Sequence, residues 1–137
     1  MFHFPVHTLD SAPEQSKDLL LKTASNYGFL PNLISVMATS PALTEAYLTV
    51  ADIFSKSSLS PSEQQIVLLT VSYYQQCTYC VAAHTAIADM HNVNSEFVLA
   101  IRDAKPLSDK KLLVLREFTN LLIDSRGWAS VMIYRLF

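Results

Sequence analysis

Cys77, Cys80 and His84 lie within eight residues and account for both cysteines and one of the four histidines of the chain. At about 100° per residue on a helix, Cys80 falls one turn from Cys77, and His84 one turn beyond Cys80. Two thiols within reach of each other, with a base beside the second, are the parts of a thiol redox site. A disulfide closed within so short a segment constrains little of the unfolded chain, so it makes a poor staple. The same closeness lets the bond form and reopen, as a redox cycle requires. Near the start of a helix, the positive dipole end and the unpaired N–H groups favour thiolate over thiol. Cys77 is expected nearest that end and nearest solvent, with Cys80 deeper, and only Cys80 has His84 at i+4. Cys80 is therefore the candidate attacking thiol, His84 its general base, directly or through a water, and Cys77 the resolving thiol. With a hydroperoxide, Cys80 would become a sulfenic acid and Cys77 would condense with it. An external dithiol would then attack the exposed sulfur of Cys77.

Two other readings compete for these residues. Cys-x2-Cys-x3-His supplies three zinc ligands of acceptable type, but His91 lies two turns past His84, about 10 Å along the axis, against ligand bonds near 2 Å. A fourth ligand would have to come from His3 or His7, and no metal is expected. Haem attachment fails because Val81, not His, follows Cys80, and iron–sulfur clusters want more cysteines. The plainer reading is a pair of buried, inert cysteines with a hydrogen-bonded histidine on a packing face. Tyr79, between the cysteines, has a hydroxyl that could reach the site. Tyr73 and Tyr74 read as packing or interface residues, and Glu63 as a capping carboxylate.

The elements that must hold this motif are helical. Half of the 137 residues are hydrophobic and 16% are charged, which excludes a disordered chain. The length fits one domain, residues 1–137, and the apolar content predicts surface beyond what one small domain hides, hence a homo-oligomer. The net charge of −2 comes with scattered basic residues, so no nucleic acid or membrane surface is expected as a partner. The apolar runs are too short to span a bilayer, and Met1-Phe2-His3-Phe4-Pro5 lacks the features of a signal peptide. A cytoplasmic location is expected, where a cysteine pair is more often catalytic than structural.

Ser11-Ala-Pro-Glu14 opens a helix that ends at Gly28. Ser40-Pro41 opens another, with Leu43, Tyr47, Val50 and Phe54 on one face. Ser60-Pro61-Ser62-Glu63 is a capping box with proline at the first helical position. The helix after it is apolar on most sides (Ile66, Val67, Leu68, Leu69, Val71) and is expected to be central. A helix follows from Cys77 to about Met90, a short one from Asn94-Ser95, and one from Ser108-Asp109 that Gly127 caps. In this last helix Leu112, Leu115, Phe118 and Leu122 face inward, and Lys111, Arg116, Asn120 and Asp124 outward. No segment shows sustained strand alternation. The fold class is all-α, a compact arrangement of about six to seven helices. The apolar end, Trp128 to Phe137, is expected to dock on its own domain or on a neighbour.

Leu59-Ser-Pro-Ser-Glu-Gln-Gln65, followed by Cys77-Thr-Tyr-Cys80-Val-Ala-Ala-His84-Thr, resembles the alkylhydroperoxidase D-like proteins of the carboxymuconolactone decarboxylase family. Tyr27-Gly-Phe-Leu-Pro-Asn32 and Ser40-Pro-Ala-Leu43 look like its uncharacterised peroxidase-related branch, so the resemblance spans about residues 27–127. It implies an all-helical fold assembled as trimers or hexamers, and peroxidase chemistry by a cysteine pair whose second member is peroxidatic. It also implies a lipoyl-bearing dithiol protein as reductant and no bound cofactor. Two positions depart from the family pattern. The glutamate of its proton relay falls on Gln65, which can hold a hydrogen bond but cannot carry a proton near neutral pH. The histidine between the cysteines is Tyr79, a poor base. Related chains usually continue past Gly127-Trp128, so the C-terminus is read as truncated or frameshifted.

The sequence thus points to a thiol-dependent hydroperoxide reductase that uses Cys77, Cys80, His84 and Gln65. Its partners would be a hydroperoxide and a dithiol. The alternatives are a redox-sensing or interaction module, and a lactone-decarboxylating lyase, against which the cysteine pair argues because that chemistry needs acid–base and anion-binding groups.

Overall fold

The computed structural model describes residues 3–128 and contains seven helices and no strand among them. The docking expected of the apolar end falls on residues 129–137 and lies outside the described residues. The chain divides into two compact units, residues 1–56 and 57–137.

The first unit holds α1 (Glu14–Tyr27), α2 (Asn32–Met37) and α3 (Pro41–Ser55). α1 stops at Gly28, whose φ of 75° is the left-handed conformation that glycine adopts without a Cβ penalty. α3 starts at Ser40, whose side chain accepts the Leu43 N–H, with Pro41 at the first helical position. The core is Ala12, Leu20, Ile34 and Ala38, and within it the Ser16 hydroxyl donates to the Ala38 carbonyl at 2.8 Å. α3 buries only Thr44, while Leu43, Tyr47, Val50 and Ile53 are 52%, 39%, 66% and 63% exposed. Three of the four residues of its expected apolar face therefore lie on the surface, with Phe54 half-buried.

The second unit holds α4 (Pro61–Tyr74), α5 (Thr78–Met90), α6 (Ser95–Arg102) and α7 (Lys110–Asp124). α4 is the central helix, packed on α5, α6 and α7. Its Ile66 and Leu69 have no exposed surface and meet Ala88, Val98, Ile101 and Leu112 from the three neighbours. Truncating a side chain so enclosed costs about 2–5 kcal/mol, so Leu69→Ala would destabilise the scaffold of the site directly. Val67 and Val71 are only half-buried, because α4 and α7 leave between them an open apolar groove of about 470 Å³ that also exposes Leu115, Phe118 and Leu122. Of the α7 residues expected to face inward, Leu112 alone is fully buried.

The N-terminal turn of α4 is polar and nevertheless buried. Ser60 accepts the Glu63 N–H at 3.3 Å, and the Glu63 carboxylate accepts the Ser60 N–H at 2.7 Å, completing the capping box. The other carboxylate oxygen of Glu63 pairs with Lys111 of α7 at 2.5 Å. The Lys111 ammonium and the Ser60 donors hold the Glu63 carboxyl down at about 2, against an ordinary 4.5. A carboxyl depressed on folding adds stability that is complete above its unfolded value and vanishes as pH falls through the folded one. Stability is therefore expected to decline from about pH 4.5 toward pH 2, and Glu63→Gln to flatten that decline while lowering stability at neutral pH. Chemical denaturation followed across this pH range measures both effects. An unchanged slope in the variant would remove Glu63 from the account.

Candidate functional site

The connection from α4 to α5 is three residues long and fixes Cys77 from both sides. Gln76 adopts φ 54°, and its N–H bonds the Tyr73 carbonyl at 3.0 Å, while the Cys77 N–H bonds the Ser72 carbonyl at 3.0 Å. These two bonds close the C-terminus of α4 in a Schellman turn. The same residue then begins α5. Cys77 is its N-cap, the Cys77 carbonyl accepts the Val81 N–H at 3.0 Å, and the Cys77 Sγ accepts the Cys80 N–H at 3.2 Å. Backbone bonding thus sets Cys77 at the end of one helix and the start of the next, and Cys80 follows in the first turn.

The two sulfurs are joined as a disulfide, with the Cα atoms 5.2 Å apart. Both cysteines are half-buried, so the expected difference in exposure between them is not seen at this level. An N–H directed at a sulfur stabilises negative charge there once the bond is opened, as does the N-terminal end of the α5 dipole.

His84 lies on the face of α5 that carries Cys80, one turn further along, and its Nδ1 is 3.2 Å from the Gln65 Oε1 of α4. Gln65 is buried at 5% exposure. Its neighbour Gln64 spends its own amide on the Leu59 carbonyl and the Ser57 hydroxyl, at 3.1 and 3.3 Å. The N-terminal turn of α4 is thereby held against the loop before it, and Gln65 is held in turn. An amide oxygen only accepts, so in this arrangement Nδ1 carries the proton and Nε2 presents its lone pair. Burial lowers the His84 pKa below the ordinary 6.5, which keeps the ring neutral and basic at neutral pH.

The structure thus brings Gln65 and His84 into contact and places Cys77 and Cys80 in one bond, at the start of the helix that carries His84. The other singled-out residues do not join them. Within the first unit, His7 is engaged through both ring nitrogens, with the Ser11 carbonyl at 3.0 Å and the Thr39 hydroxyl at 3.2 Å. His3 and His91 are exposed. Glu63 serves the cap, as its spacing predicted, and pairs in addition with Lys111. Among the described residues, no group of three or more His, Cys, Asp or Glu side chains is arranged to hold a metal ion.

Sequence reasoning missed a second feature of this region. An open cleft of about 730 Å³ runs along α5 beside the motif and is lined in part by Gln76 and Thr78, the residues on either side of Cys77. Arg116 and Asn120, expected to point outward, are half-buried and line it from α7. Their i, i+4 spacing was the available sign, but it could not show that α6 brings Arg102 to the same cleft.

A Cys-x2-Cys disulfide at a helix N-terminus, on the helix whose half-buried histidine meets a buried glutamine, is an arrangement compatible with thiol–disulfide redox chemistry. The family model of the carboxymuconolactone decarboxylase family matches residues 41–107, from the start of α3 through α6. That stretch contains Gln65, Cys77, Cys80 and His84. No curated protein matches the chain. Among the described residues, no helix is long and apolar enough to cross a membrane.

Proposed function

We propose that this protein is a thiol-dependent hydroperoxide reductase that cycles the Cys77–Cys80 bond. The observation that carries the reading is the Gln65–His84 contact on the helix that begins with the cysteine pair, because it leaves Nε2 unprotonated on the face that carries Cys80. The cycle starts from the oxidised state. One thiolate of an external dithiol attacks the Cys77 sulfur and releases Cys80 as thiolate. The second thiol of the reductant then displaces Cys77, leaving the reductant as a disulfide and Cys77 as a thiol. Cys80 thiolate attacks the O–O bond of a hydroperoxide, giving a sulfenic acid and an alkoxide; the proton given up by the reductant's first thiol, taken onto the free Nε2 of His84, is then passed to the alkoxide. Cys77 condenses with the sulfenic acid, a water leaves, and the disulfide is restored. The net change is hydroperoxide plus dithiol to alcohol, water and disulfide.

Gln65 positions His84 in this scheme and takes no proton itself. The exposed face of α3 supports assembly of several copies, as trimers or hexamers, since an apolar stripe of this kind is rarely left to water. Val50→Glu should lower the mass found by light scattering, and an unchanged mass would exclude that face. The reductant we propose is a dithiol of the lipoyl type, acting in the cytoplasm. The central test is peroxide consumption with a dihydrolipoyl donor. Turnover is expected. A wild-type protein that forms the disulfide on peroxide treatment yet shows no turnover would instead be a redox sensor.

A further inference from the structure

We infer that the cleft beside the cysteine motif is a binding site for a small amphipathic carboxylate, a molecule with one anionic head and a short apolar body. Its volume of about 730 Å³ is of the size that encloses a small organic ligand. Two arginines line it from different helices, Arg102 at the end of α6 and Arg116 in the middle of α7. Neither has a carboxylate partner among the described residues. Arg116 donates to the Lys105 carbonyl at 2.5 Å, which fixes its plane and leaves its remaining N–H groups for an acceptor. Asn120, one turn from Arg116, adds an uncharged polar group to the same wall. Two arginines lining one cleft, with an amide beside them, are suited to a carboxylate head.

The rest of the lining favours a body that is not polar. Val81 and Ala82 of α5, Ile101 of α6 and the rings of Tyr73 and Tyr74 supply it. The Tyr74 hydroxyl is taken by Asp124, so the ring rather than the phenol oxygen is what this residue offers. A bare inorganic anion would leave that surface wet, and an uncharged alkyl chain would leave the arginines unused. The class that uses both is a carboxylate on a short hydrocarbon chain. Because Gln76 and Thr78 flank Cys77, such a ligand would sit along the helix that begins with the cysteine pair. Binding itself does not depend on peroxidase activity.

The test is calorimetric titration of the whole chain with octanoate, octanol and acetate. Octanoate is expected to bind at least about tenfold more tightly than either of the others, since charge-assisted hydrogen bonds and several buried methylenes each contribute that much. Arg102→Gln, at an exposed position that leaves the fold intact, should weaken octanoate binding by about tenfold and leave octanol unchanged. Arg116→Lys keeps the charge but loses the planar fork, and should weaken binding less than Arg102→Gln does. Equal affinity for octanol and octanoate would overturn the proposal, as would an Arg102→Gln protein that binds like wild type. Acetate binding as tightly as octanoate would remove the apolar body from the site. None of these readouts requires turnover, so failure of the peroxidase reading and failure of this one are separable.

Discussion

Cys80→Ser is expected to reduce peroxide-dependent turnover by about 10³-fold or more, to the background of the free dithiol, because it removes the only group proposed to break the O–O bond. Cys77→Ser is expected to behave differently. It stops the cycle after one turnover, since no partner remains to condense with the sulfenic acid, which should then be trapped on Cys80 by a dimedone-type reagent. The asymmetry decides the roles, and the structure makes it a real question. The Cys80 N–H points at the Cys77 sulfur at 3.2 Å and would favour charge there, whereas His84 follows Cys80 at i+4. If the amide were decisive, Cys77 would be the more acidic thiol, and sulfenic acid would form on Cys77 in the Cys80→Ser protein. That outcome would reverse the assignment. Folding should not obscure it. A bond closing so short a loop adds only about 2 kcal/mol by chain entropy, and under reducing conditions wild type lacks the bond as well. Melting curves of both variants and the reduced wild type should therefore nearly coincide.

Much of the helical frame was legible because its boundaries carry local chemistry. Ser60-Pro61-Ser62-Glu63 forms the capping box that its residue types predict, and Ser40, Asn94 and Asp109 cap α3, α6 and α7 with their side chains. Gly28 closes α1 in the left-handed conformation. α2 escaped notice because it has six residues and no side-chain cap, which is too short for a helical period to show. The closure of α4 was hidden for another reason. Its left-handed residue is Gln76 rather than glycine, so nothing in the sequence marked Cys77 as the final residue of one helix cap and the first of the next. At the end of α7 the left-handed turn begins one residue before the expected Gly127, at Arg126 with φ 53°. Periodicity also cannot tell an apolar stripe that faces the core from one that faces another molecule, which is why the Leu43, Tyr47 and Val50 face of α3 was readable as a face but not as an exposed one. As candidates, Cys77, Cys80 and His84 are legible from spacing alone. Gln65 came from the resemblance, and only the packing of α4 on α5 shows that it touches the histidine.

Replacing Gln65 with glutamate is expected to shift the pH dependence of the reaction rather than merely its speed. In the wild type, burial lowers the His84 pKa below 6.5, and the amide oxygen facing Nδ1 adds no charge to oppose that. In the proposed cycle the neutral ring is therefore available as the base at neutral pH, and disulfide formation driven by peroxide should slow only as pH falls below that ordinary value and the ring gains a proton. The same shift sets the sign for stability. The unfolded histidine binds its proton near pH 6.5 while the folded one resists it, so stability is intact above that pH and is lost as pH falls. A carboxylate at position 65 would reverse the balance. At hydrogen-bond distance from Nδ1–H it favours the imidazolium, and such a partner raises a histidine pKa by about one pH unit or more. The acid limb of the rate profile should move up by that amount, and the pair would then carry a proton between them. The His84 ring titration followed by NMR should move with it. His84→Ala should abolish the limb and slow disulfide formation by about 10²–10⁴-fold, the usual contribution of a general base. Gln65→Leu keeps the volume but drops the acceptor, and should slow the reaction without creating the upward shift. A Gln65→Glu protein whose limb and ring titration both stay where the wild type has them would show that residue 65 does not face the histidine in solution, and the positioning role would fall with it.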